Sequence, residues 1–208
     1  MHIKLFYSPT SPYARKVLVV IKELKLDSEV EMVSVNPLLD NPELIAHNPL
    51  AKVPTLVQDN GFVLYDSPLI CEYLISIAEE KNLNGLSVFA GEGKDYFSIQ
   101  KQQALADGVM DATFSLVMER KRKPEQQSEF WKKRWLNSIN RGLDEFFKPD
   151  HMQTGQLTIG TIAMCCALGY LKFRTPEIKW QENYPELYAW YQEMLQRQSF
   201  KETDPNAM

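Results

Sequence analysis

The repeat pattern of apolar residues changes part-way along the chain, and this change constrains the fold more than any other feature. Up to residue 78, alternating segments typical of strands are interleaved with segments of helical period, in the order β-α-β-α-β-β-α. Residues 79–93 lose both periods and are rich in glycine, which indicates a linker. After it, only helical patterns occur, at 94–119, 126–147, 157–172 and 185–196. The sequence therefore predicts an α/β domain over 1–78, a linker over 79–93 and an all-α domain over 94–208.

The strands of the first domain are short and can be placed approximately. Residues 3–7 alternate between apolar and polar positions, and so do residues 28–35. The segments VPTLVQD (53–59) and GFVLYD (61–66) flank Asn60-Gly61, and Asn-Gly between two such segments is a strong hairpin signal. We therefore expect the last two strands to be antiparallel neighbours.

The charge balance argues against two broad classes of partner. The chain has 23 Lys and Arg against 27 Asp and Glu, a net charge of −4, so the whole molecule lacks the positive field that attracts nucleic acid or anionic lipid. The first residues show no basic segment followed by an apolar one, and the apolar run near 162–170 is far shorter than the roughly 20 residues that span a bilayer. We expect neither a nucleic acid partner nor a membrane partner, and no membrane insertion.

The thiol and imidazole side chains follow no metal-binding spacing. The three cysteines are Cys71, Cys165 and Cys166, an odd number with two adjacent, which fits neither a disulfide framework nor a zinc site. Three histidines are scattered along the chain. The sequence therefore predicts a cytoplasmic protein without a metal site.

Two serines precede a proline at the start of a helical pattern, Ser11 before Pro12 and Ser67 before Pro68. Serine is favoured at the N-cap and proline at the first helical position, so capping alone explains both pairs. A helix N-terminus also attracts anions through its free N–H groups and its dipole. If the two termini lie close together, they could hold a ligand that carries a thiolate and a carboxylate.

The segment NPLAKVPTLVQDNGFVLYDSPLICEYL (48–74) closely resembles the glutathione-binding half of the cytosolic glutathione S-transferases. The opening SPTSPYARKV resembles the first loop of that family, and YPELYAWYQEMLQRQSF (184–200) is similar to its last helices, so the resemblance covers nearly the whole chain. The segments 104–112 and 159–174 look most like a small bacterial subgroup. The resemblance implies a thioredoxin-like N-terminal domain, an all-α C-terminal domain and glutathione as co-substrate.

The same resemblance implies roles for five residues of the turn before the third strand and of the following helix start. Pro54 would follow a cis peptide bond, and the backbone of Val53 would pair with the cysteinyl part of glutathione. Ser67 would bind the γ-glutamyl carboxylate at the helix N-terminus, and Asp66 would face the ammonium group or a nearby polar network. Lys52 would reach the glycyl carboxylate.

Ser11 matches the family position that lies beside the glutathione sulfur. A hydroxyl that donates to the thiolate lowers the thiol pKa from its ordinary value of about 8.5. Tyr7, Ser8 and Thr10 also carry hydroxyls near this position, so the sequence leaves open which one faces the sulfur, with Thr10 and Tyr7 as the alternatives to Ser11. The segment SPYA (11–14) has no cysteine where disulfide-exchanging relatives have one, so thiol transfer is not implied.

The helical half contains an unusual helix start and a cluster of basic residues. Thr158 is followed at the third position by Thr161 and not by a carboxylate, so the sequence predicts an incomplete capping box there. The segment 119–135 contains seven Lys and Arg together with two Trp. A solvated helix end is the simpler interpretation of that segment, and phosphate or RNA binding is the alternative.

The resemblance implies that the glutathione thiolate attacks a small electrophile bound between the domains, with contributions from the first loop and residues 107–114. It also implies a homodimer. One alternative is a non-enzymatic interaction protein of the stringent starvation type. Such a protein does not need the glutathione-binding residues Ser11, Val53, Pro54, Asp66 and Ser67. Another is a glutathione-dependent isomerase or dehalogenase that acts on one metabolite.

Overall fold

The computed structural model describes residues 3–81, 93–152 and 157–205. In the first part of the chain, the order of elements is the one that the sequence predicted. Its strands and helices are β1 Ile3–Tyr7, α1 Pro12–Glu23, β2 Val30–Ser34, α2 Pro42–His47, β3 Thr55–Gln58, β4 Val63–Leu64 and α3 Ser67–Glu80. The sheet order is β2-β1-β3-β4, with β1 parallel to β2 and antiparallel to β3.

The hairpin between β3 and β4 forms at the predicted Asn-Gly step. The backbone N–H of Gln58 donates to the carbonyl oxygen of Phe62 at 2.9 Å. Gly61 adopts φ +83°, a left-handed conformation that glycine reaches without steric cost. The Asn60 side chain accepts from the N–H of Phe62 at 2.9 Å. These contacts confirm the antiparallel pairing of β3 with β4.

The core of the first unit lies on both sides of the sheet. On one side, Phe6 of β1 packs with Leu44 of α2 and Val57 of β3. Helices α1 and α3 pack against each other, and their apolar residues at helical spacing are buried. Helix α3 extends to Glu80, into the predicted linker, and residues 82–92 of that linker lie outside the described residues.

The second part of the chain is helical, as predicted. Its helices are α4 Gly93–Arg120, α5 Glu129–Phe146, α6 Ile159–Arg174, α7 Trp180–Asn183 and α8 Pro185–Met194. Every residue of α6 from Ile159 to Leu171 is buried, which makes α6 the central helix of this unit. Helix α4 packs against both α5 and α6. The short helix α7 was not predicted, because four residues give too little pattern to detect.

The start of α6 corrects the prediction of an incomplete capping box. The Thr158 hydroxyl accepts from the N–H of Thr161 at 3.1 Å, and the Thr161 hydroxyl oxygen accepts from the N–H of Thr158 at 3.0 Å. A hydroxyl oxygen thus takes the role that a glutamate carboxylate usually has. The reciprocal cap is complete without a charged side chain.

The C-terminal segment also differs from its predicted place. A last helix, α9, spans Gln198–Glu202, and residues Arg197–Met208 group with the N-terminal unit and not with Gly91–Gln196. Arg15 of α1 donates to the carbonyl oxygen of Phe200 at 3.1 Å, and Arg197 pairs with Glu23 at 2.7 Å. These contacts attach α9 to α1, and sequence periodicity carries no information about them.

Candidate functional site

The strand register brings three loops to one end of the sheet. Phe6, near the end of β1, is opposite Thr55 at the start of β3. Leu64 at the end of β4 is opposite Leu56 in β3. The loop from β1 to α1, the turn that enters β3 and the connection from β4 to α3 therefore all lie at this end. These connections carry the candidate site residues predicted from the sequence, which are Ser11, Lys52, Val53, Pro54, Asp66 and Ser67.

Ser11 is the N-cap of α1, as predicted. Its backbone is extended, with φ −83° and ψ 120°, and its hydroxyl oxygen accepts from the N–H of Ala14 at 3.2 Å. Pro12 follows at the first helical position, and the first turn carries no acidic side chain. Because Ser11 is an acceptor in the cap, its hydroxyl hydrogen can be donated elsewhere.

The alternative hydroxyl residues Tyr7 and Thr10 are placed differently from Ser11. Thr10 is exposed and makes no cap. Tyr7 lines a cavity of about 200 Å³ whose wall includes Leu18 and Ile21. These two residues lie about two turns or more into α1, so Tyr7 shares this cavity with the middle of the helix, and Ser11 lies at the start of the helix. This placement favours Ser11 over Tyr7 as the residue nearest the helix N-terminus.

The turn before β3 contains the cis peptide bond Val53-Pro54 that the resemblance implied. A buried side chain holds this turn in place. Asn48 is 1% exposed, and its amide donates to the carbonyl oxygen of Lys52 at 3.1 Å and to the hydroxyl of Thr55 at 2.9 Å. The Thr55 hydroxyl itself donates to the same Lys52 oxygen at 2.8 Å. The sequence reasoning missed Asn48, whose signal is an asparagine before a proline at a helix end.

The backbone of Val53 is available for strand-like pairing. Within residues 3–81, 93–152 and 157–205, neither its N–H nor its C=O takes part in a hydrogen bond. Pro54 has no N–H to offer, so Val53 carries the donor and acceptor at this point. The Lys52 side chain is exposed beside it.

The start of α3 lies one residue earlier than the sequence indicated. The helix begins at Ser67 with Pro68 next, and Asp66 is the N-cap, although its carboxylate makes no capping hydrogen bond. Ser67 is therefore not the cap that its pairing with proline suggested. It is 1% exposed, and its hydroxyl has no hydrogen-bond partner in the described part of the chain. The peptide bond Tyr65-Asp66 is also cis.

The arrangement suits an anionic peptide-like ligand. The start of α3, which has no acidic side chain in its first turn, points free N–H groups towards the same end of the sheet as the capped start of α1 and an unpaired backbone donor and acceptor. The three cysteines are buried and form no disulfide, so the loops offer no exposed protein thiol. No cluster of three metal-ligating side chains occurs among the described residues. None of the described helices has the length and apolar character needed to span a bilayer.

Both halves of the chain match known protein families. Residues 10–77 match the N-terminal domain of glutathione S-transferases, and residues 105–198 match their C-terminal domain. Among curated proteins, the uncharacterized GST-like protein YibF of Escherichia coli is 33% identical, and the alignment covers 98% of each chain.

Solved structures give the same result. A glutathione transferase family member from Pseudomonas fluorescens, solved with bound glutathione, is 34% identical with a TM-score of 0.87 and 98% coverage of each chain. A glutathione S-transferase from Methylobacillus flagellatus, also with glutathione bound, is 36% identical with a TM-score of 0.86, and the match covers 98% of this chain and 99% of that one.

Proposed function

Because the chain belongs to the glutathione S-transferase family, we propose that it binds glutathione where the three loops meet and activates the thiol for attack on a small electrophile. The observation that carries the proposal is the set of polar groups at one end of the sheet. It consists of the Ser11 cap, the Val53 backbone and the Ser67 hydroxyl.

The γ-glutamyl end binds at the start of α3. The Ser67 hydroxyl and the free N–H groups of the first turn bind its carboxylate, because both donate hydrogen bonds and the helix dipole favours an anion there. The Asp66 carboxylate is exposed and makes no capping bond, so it can face the ammonium group of the same residue. The Val53 backbone pairs with the cysteinyl unit, and Lys52 binds the glycyl carboxylate.

The Ser11 hydroxyl stabilises the thiolate. In the cap it accepts from Ala14, and it donates its own hydrogen to the sulfur. A hydrogen bond to a charged partner contributes about 1.5 to 3 kcal/mol. At about 1.36 kcal/mol per pKa unit, this lowers the thiol pKa by about one to two units from about 8.5. A substantial fraction of bound glutathione is then ionised at neutral pH.

The reaction is a displacement or an addition by glutathione sulfur. The thiolate electron pair forms a carbon–sulfur bond, and the electrophile loses an anionic leaving group or gains a proton from solvent. The Pseudomonas fluorescens relative, which is 34% identical, has also been solved with bound S-(propanoic acid)-glutathione, a thioether of this kind. That bound thioether supports conjugation as the reaction of this chain.

A panel of electrophiles with different leaving groups tests the proposal. Thioether formation is followed by chromatography of glutathione adducts, with wild type beside Ser11→Ala and Thr10→Ala. We expect the Ser11 variant to lose rate at neutral pH and to regain part of it at higher pH, because more of the thiol ionises there without help. The Thr10 variant should keep the wild-type rate. Glutathione binding without an adduct from any member of the panel would contradict the transferase proposal.

A further inference from the structure

The first turns of α5 expose aromatic rings that contact one another. Phe130 is 69% exposed and Trp131 is 45% exposed. Their ring centroids are 5.3 Å apart in an edge arrangement, and Trp131 stacks on Trp135 at 5.6 Å with an interplanar angle of 22°. Large aromatic side chains at a helix start are costly to leave in water, because each carries a large apolar area. A solvated helix end does not account for them.

The segment that carries these rings also carries unpaired cations. The segment 119–135 carries seven basic and three acidic side chains, in a chain whose net charge is −4. Three of the basic residues have acidic partners, in the pairs Arg120–Glu177, Arg122–Glu119 and Lys132–Glu129. The other four are exposed and form no ion pair within the described ranges 3–81, 93–152 and 157–205; they are Lys121, Lys123, Lys133 and Arg134.

Hydrogen bonds hold the basic turn beside the start of α5. The carboxylate of Glu119, which is 7% exposed, accepts from the N–H of Ser128 at 2.6 Å. The Gln127 side chain donates to the carbonyl oxygens of Arg120 and Arg122 at 3.1 and 2.8 Å. The cations of the turn and the rings of α5 therefore form one surface. We call it the aromatic–basic surface and define it as Phe130, Trp131 and Trp135 with Lys121, Lys123, Lys133 and Arg134.

We propose that the aromatic–basic surface binds the headgroup region of an anionic lipid bilayer. Aromatic rings prefer the boundary between headgroups and acyl chains, and neighbouring Lys and Arg side chains bind the anionic headgroups. On α5, Lys133 lies three residues and Arg134 four residues after Phe130, so both cations flank the ring. The binding is peripheral and uses no membrane-spanning segment. The surface belongs to the helical unit, and Ser11 and Ser67 belong to the other unit.

The ring arrangement favours lipid over single-stranded nucleic acid. Sequence-independent binding of single strands requires open aromatic faces on which bases stack. Trp131 already stacks on Trp135 and contacts Phe130, so the rings present a compact apolar projection and not a series of open platforms. The negative charge of the remaining chain also opposes binding along an extended polyanion. A bilayer contacts only the aromatic–basic surface, so the negative charges on other faces of the molecule can stay away from the anionic headgroups.

Vesicle sedimentation tests the proposal on the full chain. Vesicles of phosphatidylcholine with about 30% phosphatidylserine should sediment the wild type at low salt, and vesicles of phosphatidylcholine alone should sediment much less. Trp180 and Trp190 are 1% and 5% exposed, so a blue shift of tryptophan emission on binding reports Trp131 and Trp135. Each Lys or Arg near an anionic surface increases the partition coefficient about fivefold. Salt should weaken binding, because it shortens the distance over which this attraction acts.

Two double variants with the same change in charge make the test specific. Lys133→Gln/Arg134→Gln should lower partitioning at least about tenfold. Lys94→Gln/Lys101→Gln, which changes two exposed lysines of α4, should leave it close to wild type. Phe130→Ser/Trp131→Ser should also reduce binding at constant charge. Equal losses in the two charge variants, equal binding to both kinds of vesicle, or binding of a labelled oligothymidine without binding of anionic vesicles would each overturn the proposal.

Discussion

Ser11 has two proposed roles, a helix cap and a donor to the glutathione thiolate, and one substitution separates them. Ser11→Ala removes the acceptor for the N–H of Ala14 and should cost about 0.5 to 2 kcal/mol of unfolding free energy. It should also raise the pKa of the bound thiol by about one to two units, because the donated hydrogen bond is lost. Denaturant unfolding measures the first effect, and ultraviolet thiolate absorbance across pH measures the second.

Thr10→Ala is the matched control, because Thr10 carries the same functional group one residue earlier and is exposed. It should change neither quantity. A Ser11→Ala protein that loses stability while the bound thiol titrates as in wild type would show that Ser11 only caps the helix.

Local motifs let the sequence identify most of the candidate site. Ser11 before Pro12 and the Val53-Pro54 step are short patterns that the chain carries within a few residues. The support from Asn48 was missed, because it joins residues on both sides of a turn that sequence alone does not place. The cap of α3 was misplaced by one residue, because Asp66 and Ser67 are both residue types that favour this position.

At the scale of elements, the close packing of α4 and α6 depends on Gly160. A Cβ atom there would lie 2.5 Å from the side-chain oxygen of Gln102 and 2.9 Å from the carbonyl oxygen of Ile99. Gly160→Ala should therefore destabilise the protein by about 1 to 3 kcal/mol through overpacking. Gly108→Ala on the exposed side of α4 meets no atom within 4 Å and should stabilise it by about 0.5 to 1 kcal/mol. Thermal unfolding of both variants checks this, and similar effects in the two would be inconsistent with the packing.

The contact between α8 and α5 predicts a dependence of stability on alkaline pH. Burial, followed by the hydrogen bond from its hydroxyl to Asp144 at 2.6 Å, raises the pKa of Tyr184 to about 12. This pKa lies above the value of about 10 for tyrosine in the unfolded chain. The stabilisation of the folded state by Tyr184 is therefore complete below pH ~10 and is lost as pH rises towards ~12.

The Tyr184 contribution is about 1 kcal/mol, after allowance for solvent around a partly exposed group. The difference in unfolding free energy between wild type and Tyr184→Phe should be constant at neutral pH and shrink above pH ~10. Urea unfolding at several pH values measures it. A difference that does not change with alkaline pH would show that the Tyr184 hydroxyl does not couple its ionisation to folding.

Periodicity predicted the long helices well and the short ones poorly. Helices α4 and α5 occur within a few residues of their predicted bounds, because many apolar positions define each pattern. Helix α9 has five residues, and its grouping with the first unit depends on Arg15 and Phe200, which are far apart in sequence. Such contacts are visible only in the folded chain.

At the scale of the whole molecule, we predict a homodimer. The first unit exposes large apolar side chains at Phe62 and Leu69, which are 49% and 46% exposed, and soluble oligomers are most commonly two-fold dimers. Light scattering should give twice the 24.1 kDa mass of one chain at micromolar concentration. Leu69→Glu should shift the mass towards the monomer, since a charge would be buried in the interface. A monomer mass for the wild type would reject the prediction.

The central claim is that glutathione binds where the β1–α1 loop, the Val53-Pro54 turn and the start of α3 meet. Calorimetric titration with glutathione tests it most directly, with wild type beside Ser67→Ala. We predict one site per chain with micromolar to low millimolar affinity, a binding free energy of roughly 4 to 8 kcal/mol. Ser67→Ala should weaken it by about 1 to 3 kcal/mol, because the ligand carboxylate loses a donor. An absence of binding heat at millimolar glutathione, or an unchanged affinity in Ser67→Ala, would contradict the account.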